Sequence, residues 1–255
     1  MIKAAFFDID GTLLSFKTHQ VSPGTITAFE KLHENGVLTF ISTGRPKLII
    51  PQMPVRFDGL VTMNGGLCWS GNEVIYSAPI PKSDSQRWLE YAKSHQIVTM
   101  SITKDKMFGN RMSDIALAIH KQLDFKLPPI VDEESILDED FFQFIGVMPP
   151  EMDKEVQELL PGCSLPRWHP AFTDIVKNGS NKAVGISHLL EHYHITKEEI
   201  IAFGDGGNDI DMLEYAGIGV AMGNADNTVK DHADYVTTDV DNEGIYNALV
   251  KLNII

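Results

Sequence analysis

The segment Ile2–Leu14, IKAAFFDIDGTLL, decides how the rest of the chain is read. Four apolar residues, Ala4 to Phe7, run directly into Asp8, Ile9, Asp10 and Gly11. A continuous apolar run of this length reads as a strand buried on both faces, as in a parallel sheet. Side chains two apart on a strand share a face, so Asp8 and Asp10 are pressed together. Such like-charge crowding is unfavourable unless a cation, a proton or a substrate makes use of it.

Outward from that strand the pattern is strand, helix, strand. In SPGTITAFEKLHENG (22–36), Ser22 stands as an N-cap, Pro23 at the first helical position and Gly36 as the stop. VLTFIST (37–43) and FDGLVTMNGG (57–66) supply two more buried strands. Short links between such elements imply βαβ units on a parallel sheet. LCWSGNEVIYS (67–77) reads as a hairpin turning at Gly71-Asn72, and Pro79 and Pro81 follow as a hinge. From Lys82 to Lys177 the character changes to mixed helices and short strands punctuated by Pro128, Pro129, Pro149 and Pro150, which suggests an inserted α+β module. The last third returns to βαβ: a helix in NKAVGISHLLEHYH (181–194), a capping-box spacing at Thr196/Glu199, a strand into EIIAFGDGGND (199–209), another in GIGVAMGNA (217–225), an edge strand in DHADYVTT (231–238) and a closing helix in GIYNALVKL (244–252). The expected fold is thus a doubly wound parallel-sheet (Rossmann-like) α/β core from residues 1–81 and 178–255, with an α+β domain at 82–177.

Composition narrows the function. The chain has 255 residues and a net charge of −14, an acidic balance that argues against nucleic acid, which needs a basic footprint, and against anionic membranes. Cys68 and Cys163 are the only cysteines, so neither a zinc cluster nor a disulfide framework is expected. With no apolar run of spanning length and no leader pattern, the expected location is cytoplasmic.

Four short stretches each follow a strand or open a helix: DIDGT (8–12), STGR (42–45), Lys182, and GDGGND (204–209). In open parallel sheets, ligands sit beyond the carboxyl ends of the strands, so three of these four stretches are expected to converge on one edge of the sheet despite their separation. Together they offer the carboxylates of Asp8, Asp10, Asp205 and Asp209, the ammonium of Lys182, the Thr43 hydroxyl, and approachable backbone at Gly44 and Gly206. An all-oxygen set favours a hard cation such as Mg²⁺. A divalent ion plus a lysine reverses the repulsion that bare carboxylates exert on a phosphate. The set suits phosphoryl transfer.

FFDIDGTLL, ISTGR, Lys182 and GDGGNDIDML, in this order, resemble the four motifs of the haloacid dehalogenase superfamily. Asn64 in the NGG stretch, the insert between the second and third motifs, and VAMGNA (220–225) are similar to its Cof-type branch. The resemblance implies a Mg²⁺-dependent phosphatase acting on small phosphorylated metabolites: sugar phosphates, nucleotides, or cofactors such as FMN and pyridoxal phosphate. Asp8 would be the nucleophile that forms an aspartyl-phosphate, and Asp10 the acid and then the base. Asp8, the Asp10 backbone carbonyl and Asp205 would hold Mg²⁺, with Asp209 supporting the metal site. Thr43, Gly44, Lys182 and Asn208 would bind the phosphoryl group. The insert would act as a cap that reads the leaving group, hinged at Pro79–Lys82 and Lys177–Gly179. The alternatives are a phosphotransferase or phosphomutase on the same core, or a phospho-accepting receiver-like domain. Arg45 is open between a surface ion pair and a substrate contact, and Asn64 between a turn role and a place at the edge of the site; the readings for the others are a turn role for Asn224, a solvated face for His188, His192 and His194, and module core for Trp88, Phe141 and Phe144. Arg111, Arg167 and His169 are options for contacting a substrate from the insert.

Overall fold

The computed structural model describes residues 1–114, 117, 127–167 and 170–255; His169 lies outside them. The chain divides into two compact units, one of Met1–Gly44, Pro51–Tyr76 and Asn181–Ile255, the other of Arg45–Ile50 and Ser77–Ser180.

In the first unit, β1 (Ala4–Phe7) lies between β2 (Leu38–Ser42) and β11 (Ile200–Gly204), parallel to both. Continuing past β2 come β3 (Gly59–Thr62), β4 (Leu67–Ser70) and β5 (Glu73–Ser77). Past β11 come β12 (Ile218–Ala221) and β13 (Tyr235–Val236), which closes that edge. Strands β1, β2, β3, β11, β12 and β13 run parallel, whereas β4 returns antiparallel to β3. The sheet is therefore mixed at one side, where Gly71 (φ 55°) turns the hairpin.

Residues of β1 alternate between two cores. Phe6 stacks on Phe40 with ring centroids 4.8 Å apart and joins Ile186, Leu189 and Leu190 of α4 (Lys182–Tyr193) and Met212 and Leu213 of α5 (Ile210–Tyr215). Phe7 points the other way, onto Phe203 and onto Phe29 of α1 (Pro23–Glu34). Helix α1 packs in turn on α6 (Gly244–Lys251). Both rings are fully buried, each contributing about 1.5–3 kcal/mol of burial free energy. Helix α1 begins as its sequence requires: Ser22 accepts from the Thr25 N–H at 3.2 Å with Pro23 beside it.

In the second unit, an antiparallel five-stranded sheet has the order β7 (Met107–Gly109), β6 (Val98–Thr103), β8 (Phe141–Val147), β10 (Thr173–Lys177) and β9 (Cys163–Ser164). Its core gathers Trp88 and Leu89 of α2 (Lys82–Ser94), Phe141, Phe144, Ile175, and Val156 of α3 (Asp153–Leu159). The Trp88 indole donates to Thr99 Oγ1 at 3.0 Å, so this large ring is buried with its polar atom satisfied. Among the described residues, no helix is long and apolar enough to cross a membrane.

Candidate active site

The register of the central strands builds the site. Phe7 pairs with both Ile41 and Phe203, so Asp8, Thr43 and Asp205 leave the sheet at the same carboxyl edge. The Asp8 N–H remains tied to the Phe203 carbonyl at 3.0 Å. Beyond Asp8 the chain turns tightly, with the Thr12, Leu13 and Leu14 amides all donating to the Ile9 carbonyl. Gly11 (φ 84°) is required in this turn: a Cβ there would lie 2.1 Å from Asp205 Oδ2.

Lys182 enters from the first turn of α4. Its position is set by Asn181, whose side chain accepts from the Val184 N–H at 2.8 Å, and by the approach of Asn181 to Gly65 (φ 89°), where a Cβ would lie 2.0 Å from the Asn181 carbonyl oxygen. The Lys182 side chain is fully buried. Its Nζ donates to Asp8 Oδ1 at 2.6 Å and to Asp209 Oδ1 at 2.5 Å. A cation at a helix start opposes the helix dipole, and two carboxylates supply the compensation.

Asp209 is also fully buried, and both of its oxygens are engaged. Oδ1 takes Lys182, while Oδ2 accepts from the Asp205 and Gly206 amides at 3.0 and 2.9 Å. It therefore holds the 205–206 loop and the ammonium together. Asp205 in turn accepts from Thr12 Oγ1 at 2.7 Å. Carboxylate oxygens of Asp8, Asp205 and Asp209 lie within 4.8 Å of one another, a spacing and an all-oxygen chemistry that fit a hard divalent cation. The Asp10 side chain is not one of these three.

On the other side of the site, Met63 (φ 51°), Asn64 (φ 50°) and Gly65 run successively through the left-handed region. Such strain in non-glycine residues clusters at functional sites. This path presents the Asn64 amide beside Gly44, where a Cβ would approach Asn64 Oδ1 to 3.2 Å, and lets Asn64 accept from Asn208 Nδ2 at 3.0 Å. The Asn64 N–H donates to the Thr43 carbonyl at 3.2 Å. Gly44, Thr43 and Asn208 thus meet through Asn64.

Other candidates have the following contacts. Arg45 Nη1 donates to the Ile49 carbonyl. Arg167 forks onto Asp153 with bonds of 2.8 and 2.5 Å and also donates to the Phe172 carbonyl, a structural pairing. His188 stacks on Tyr76 at 3.6 Å.

Electrostatics match the crowding. Burial raises the Asp8 pKa well above the usual carboxylate range, Lys182 opposes the shift, and Asp209, Asp205 and Asp10 add to it. Burial pushes Lys182 down, but Asp209 and Asp8 more than offset this and hold it above its ordinary value. For Asp205, burial dominates and raises the pKa from 3.8 to about 7; the Thr12 bond and Lys182 oppose, and Asp209 and Asp10 assist. A carboxyl whose folded pKa is raised makes the folded state lose stability as pH climbs from about 4 to about 7. A bound divalent cation takes the place of that proton. The melting-temperature gain on saturating the protein with a divalent cation is therefore expected to be larger at pH 8 than at pH 5. Thermal scans at the two pH values check this, and a gain that shrinks with rising pH contradicts it.

Known proteins are similar to this chain. A family model described as haloacid dehalogenase-like hydrolase matches residues 5–249. The chain is 32% identical to a putative phosphatase, YkrA, of Bacillus subtilis over 99% of this chain and 98% of that one. Its structure superposes on that of the subclass IIB sugar phosphatase BT4131 with a TM-score of 0.92 at 38% identity, covering 99% of this chain and 100% of the other. It superposes on BT1666, a phosphatase from Bacteroides thetaiotaomicron, with a TM-score of 0.91 at 39% identity, covering 100% and 96%.

Proposed function

Since the chain belongs to the haloacid dehalogenase-like hydrolase family and is a metal-dependent phosphatase working through an aspartyl-phosphate, we propose that Asp8 is its nucleophile, Mg²⁺ its metal and a small phosphorylated metabolite its substrate. The observation that carries this reading is the gathering of Asp8, Asp205 and Asp209 around a common point, with Lys182 bonded to two of them.

In the first step an Asp8 carboxylate oxygen attacks phosphorus in line, and the P–O bond to the leaving group breaks. Asp10 gives its proton to the departing alkoxide oxygen. In the second step Asp10 takes a proton from water, the water oxygen attacks the same phosphorus, and the bond to Asp8 breaks, releasing inorganic phosphate and restoring both residues. Lys182 keeps Asp8 oriented and offsets the charge of the phosphoryl oxygens. Thr43, the Gly44 N–H and Asn208 bind those oxygens, with Asn64 positioning Asn208. Asp8, the Asp10 carbonyl and Asp205 would hold the Mg²⁺, and Asp209 orients the loop that carries Asp205. When bound, the cation supplies a positive charge that neutralises the phosphoryl group.

The domain at 82–177 is assigned to reading the leaving group. The likeness to a sugar phosphatase favours sugar phosphates first, ahead of nucleotides and phosphorylated cofactors. The test is a panel of these compounds assayed for inorganic phosphate with and without Mg²⁺. Release is expected in the absence of any acceptor sugar and only with Mg²⁺. Phosphate transfer that requires an acceptor, or release indifferent to the metal, overturns the proposal.

A further inference from the structure

Asn224 follows β12 in a Met222-Gly223-Asn224 turn, and its sequence context is that of an ordinary turn residue. A turn asparagine commonly bonds its own neighbouring backbone. Here the side chain does something else. Its Nδ2 donates to the Gly11 carbonyl at 2.8 Å and to Asp205 Oδ2 at 3.2 Å, while its Oδ1 accepts from the Val240 N–H at 2.9 Å. An asparagine amide has two N–H donors, so both are spent on the metal-binding region. The acceptor anchors the group to the C-terminal turn.

The result is a grip on both oxygens of the Asp205 carboxylate, Thr12 on Oδ1 and Asn224 on Oδ2. Each oxygen carries two lone pairs, so each keeps one for a cation. The same amide holds the carbonyl of Gly11, the residue after Asp10, whose missing Cβ lets the turn close against Asp205. One side chain thus sets the spacing between the two segments that supply the ligands.

We infer that Asn224 is a positioning residue, which presets the Asp205 carboxylate and the Asp10–Gly11 turn for the divalent cation. The inference rests on the metal-dependent reading above. Outer partners of metal ligands are worth about 10- to 100-fold in metal affinity, and Asn224 acts at that level.

The test is calorimetric titration of Mg²⁺ into the wild type, Asn224→Ala and a control, Asn247→Ala. Asn247 bonds Thr238 Oγ1 and the Asn242 carbonyl in the same C-terminal region and makes no bond to Asp205. Asn224→Ala is expected to bind Mg²⁺ about 10- to 100-fold more weakly, to keep its KM for substrate, and to regain most of its kcat at saturating metal. Asn247→Ala is expected to lower the melting temperature while leaving Mg²⁺ affinity unchanged. Wild-type affinity in folded Asn224→Ala, or an equal loss in Asn247→Ala, overturns the inference. A second measurement needs no variant: the Asn224 side-chain amide signal in the wild type should be protected from exchange and should move as Mg²⁺ is added. A freely exchanging signal blind to Mg²⁺ also overturns it. Failure of the phosphatase reading shows separately, as a wild type without Mg²⁺-dependent phosphate release.

Discussion

Asp8→Asn is expected to abolish phosphate release, with kcat falling by a factor on the order of 10⁴–10⁶, the scale of loss when one member of a catalytic unit is removed. The amide matches the carboxylate in shape but is too weak a nucleophile to bond to phosphorus. Stability should move the other way. Burial is the largest influence on Asp8 and disfavours its ionised form, and Asp209, Asp205 and Asp10 disfavour it further. Lys182 keeps Asp209 as a partner in the variant. The metal-free variant should therefore melt no lower than the metal-free wild type at pH 8, as expected where a site trades stability for activity. Turnover within about 100-fold of wild type, far short of the loss a missing nucleophile causes, contradicts the assignment. So does a marked loss of metal-free stability.

Lys182→Met carries the second large effect. The ammonium is fully buried between Asp8 and Asp209, themselves buried. Removing one member of a buried ion pair leaves an uncompensated charge and costs about 3–5 kcal/mol. That is a large share of the roughly 5–15 kcal/mol that holds a domain folded. The variant should lose activity as well, since the charge proposed to face the phosphoryl oxygens goes with it. Its stability deficit should shrink at lower pH, where protonation of Asp8 relieves the exposed repulsion, and in the double variant Lys182→Met/Asp8→Asn, because contacting residues do not act additively. Denaturant unfolding at pH 8 and pH 5 measures this. A single variant as stable as wild type at pH 8 refutes the role of Lys182 as the electrostatic centre of the site.

The parts of the molecule legible in its sequence are those governed by local rules. The apolar run before Asp8 makes β1, Ser22-Pro23 starts α1, and Gly71-Asn72 turns the β4–β5 hairpin. Placing Asp8, Thr43 and Asp205 at strand ends was enough to bring them to one edge, because the parallel register does the rest. Where local signals competed with packing they were less informative. The Thr196/Glu199 capping box forms but supports only a short 3₁₀ turn (Lys197–Glu199), and the DHADYVTT segment yields just Tyr235–Val236 as strand.

Residues that hold others in place were harder to see. Asn64 depends on three consecutive left-handed residues, and Asn224 on bonds to Gly11 and Asp205, which lie far from it in the chain. The two aspartates of GDGGND look alike as letters. The fold gives them different partners: Asp209 takes Lys182 on one oxygen and two amides on the other, whereas Asp205 takes a single side-chain donor on each oxygen. The inserted unit also takes in Arg45–Ile50, a partition that no composition shift announces.

The most direct test of the account is to find the covalent bond. The wild type is mixed with a radiolabelled acyl or aryl phosphate and Mg²⁺, quenched in acid during turnover, and digested into peptides. The label should sit on the peptide containing Asp8 and be absent from Asp8→Asn. Release of labelled phosphate with no label on the protein at any time during turnover, or with label on a different residue, would contradict it.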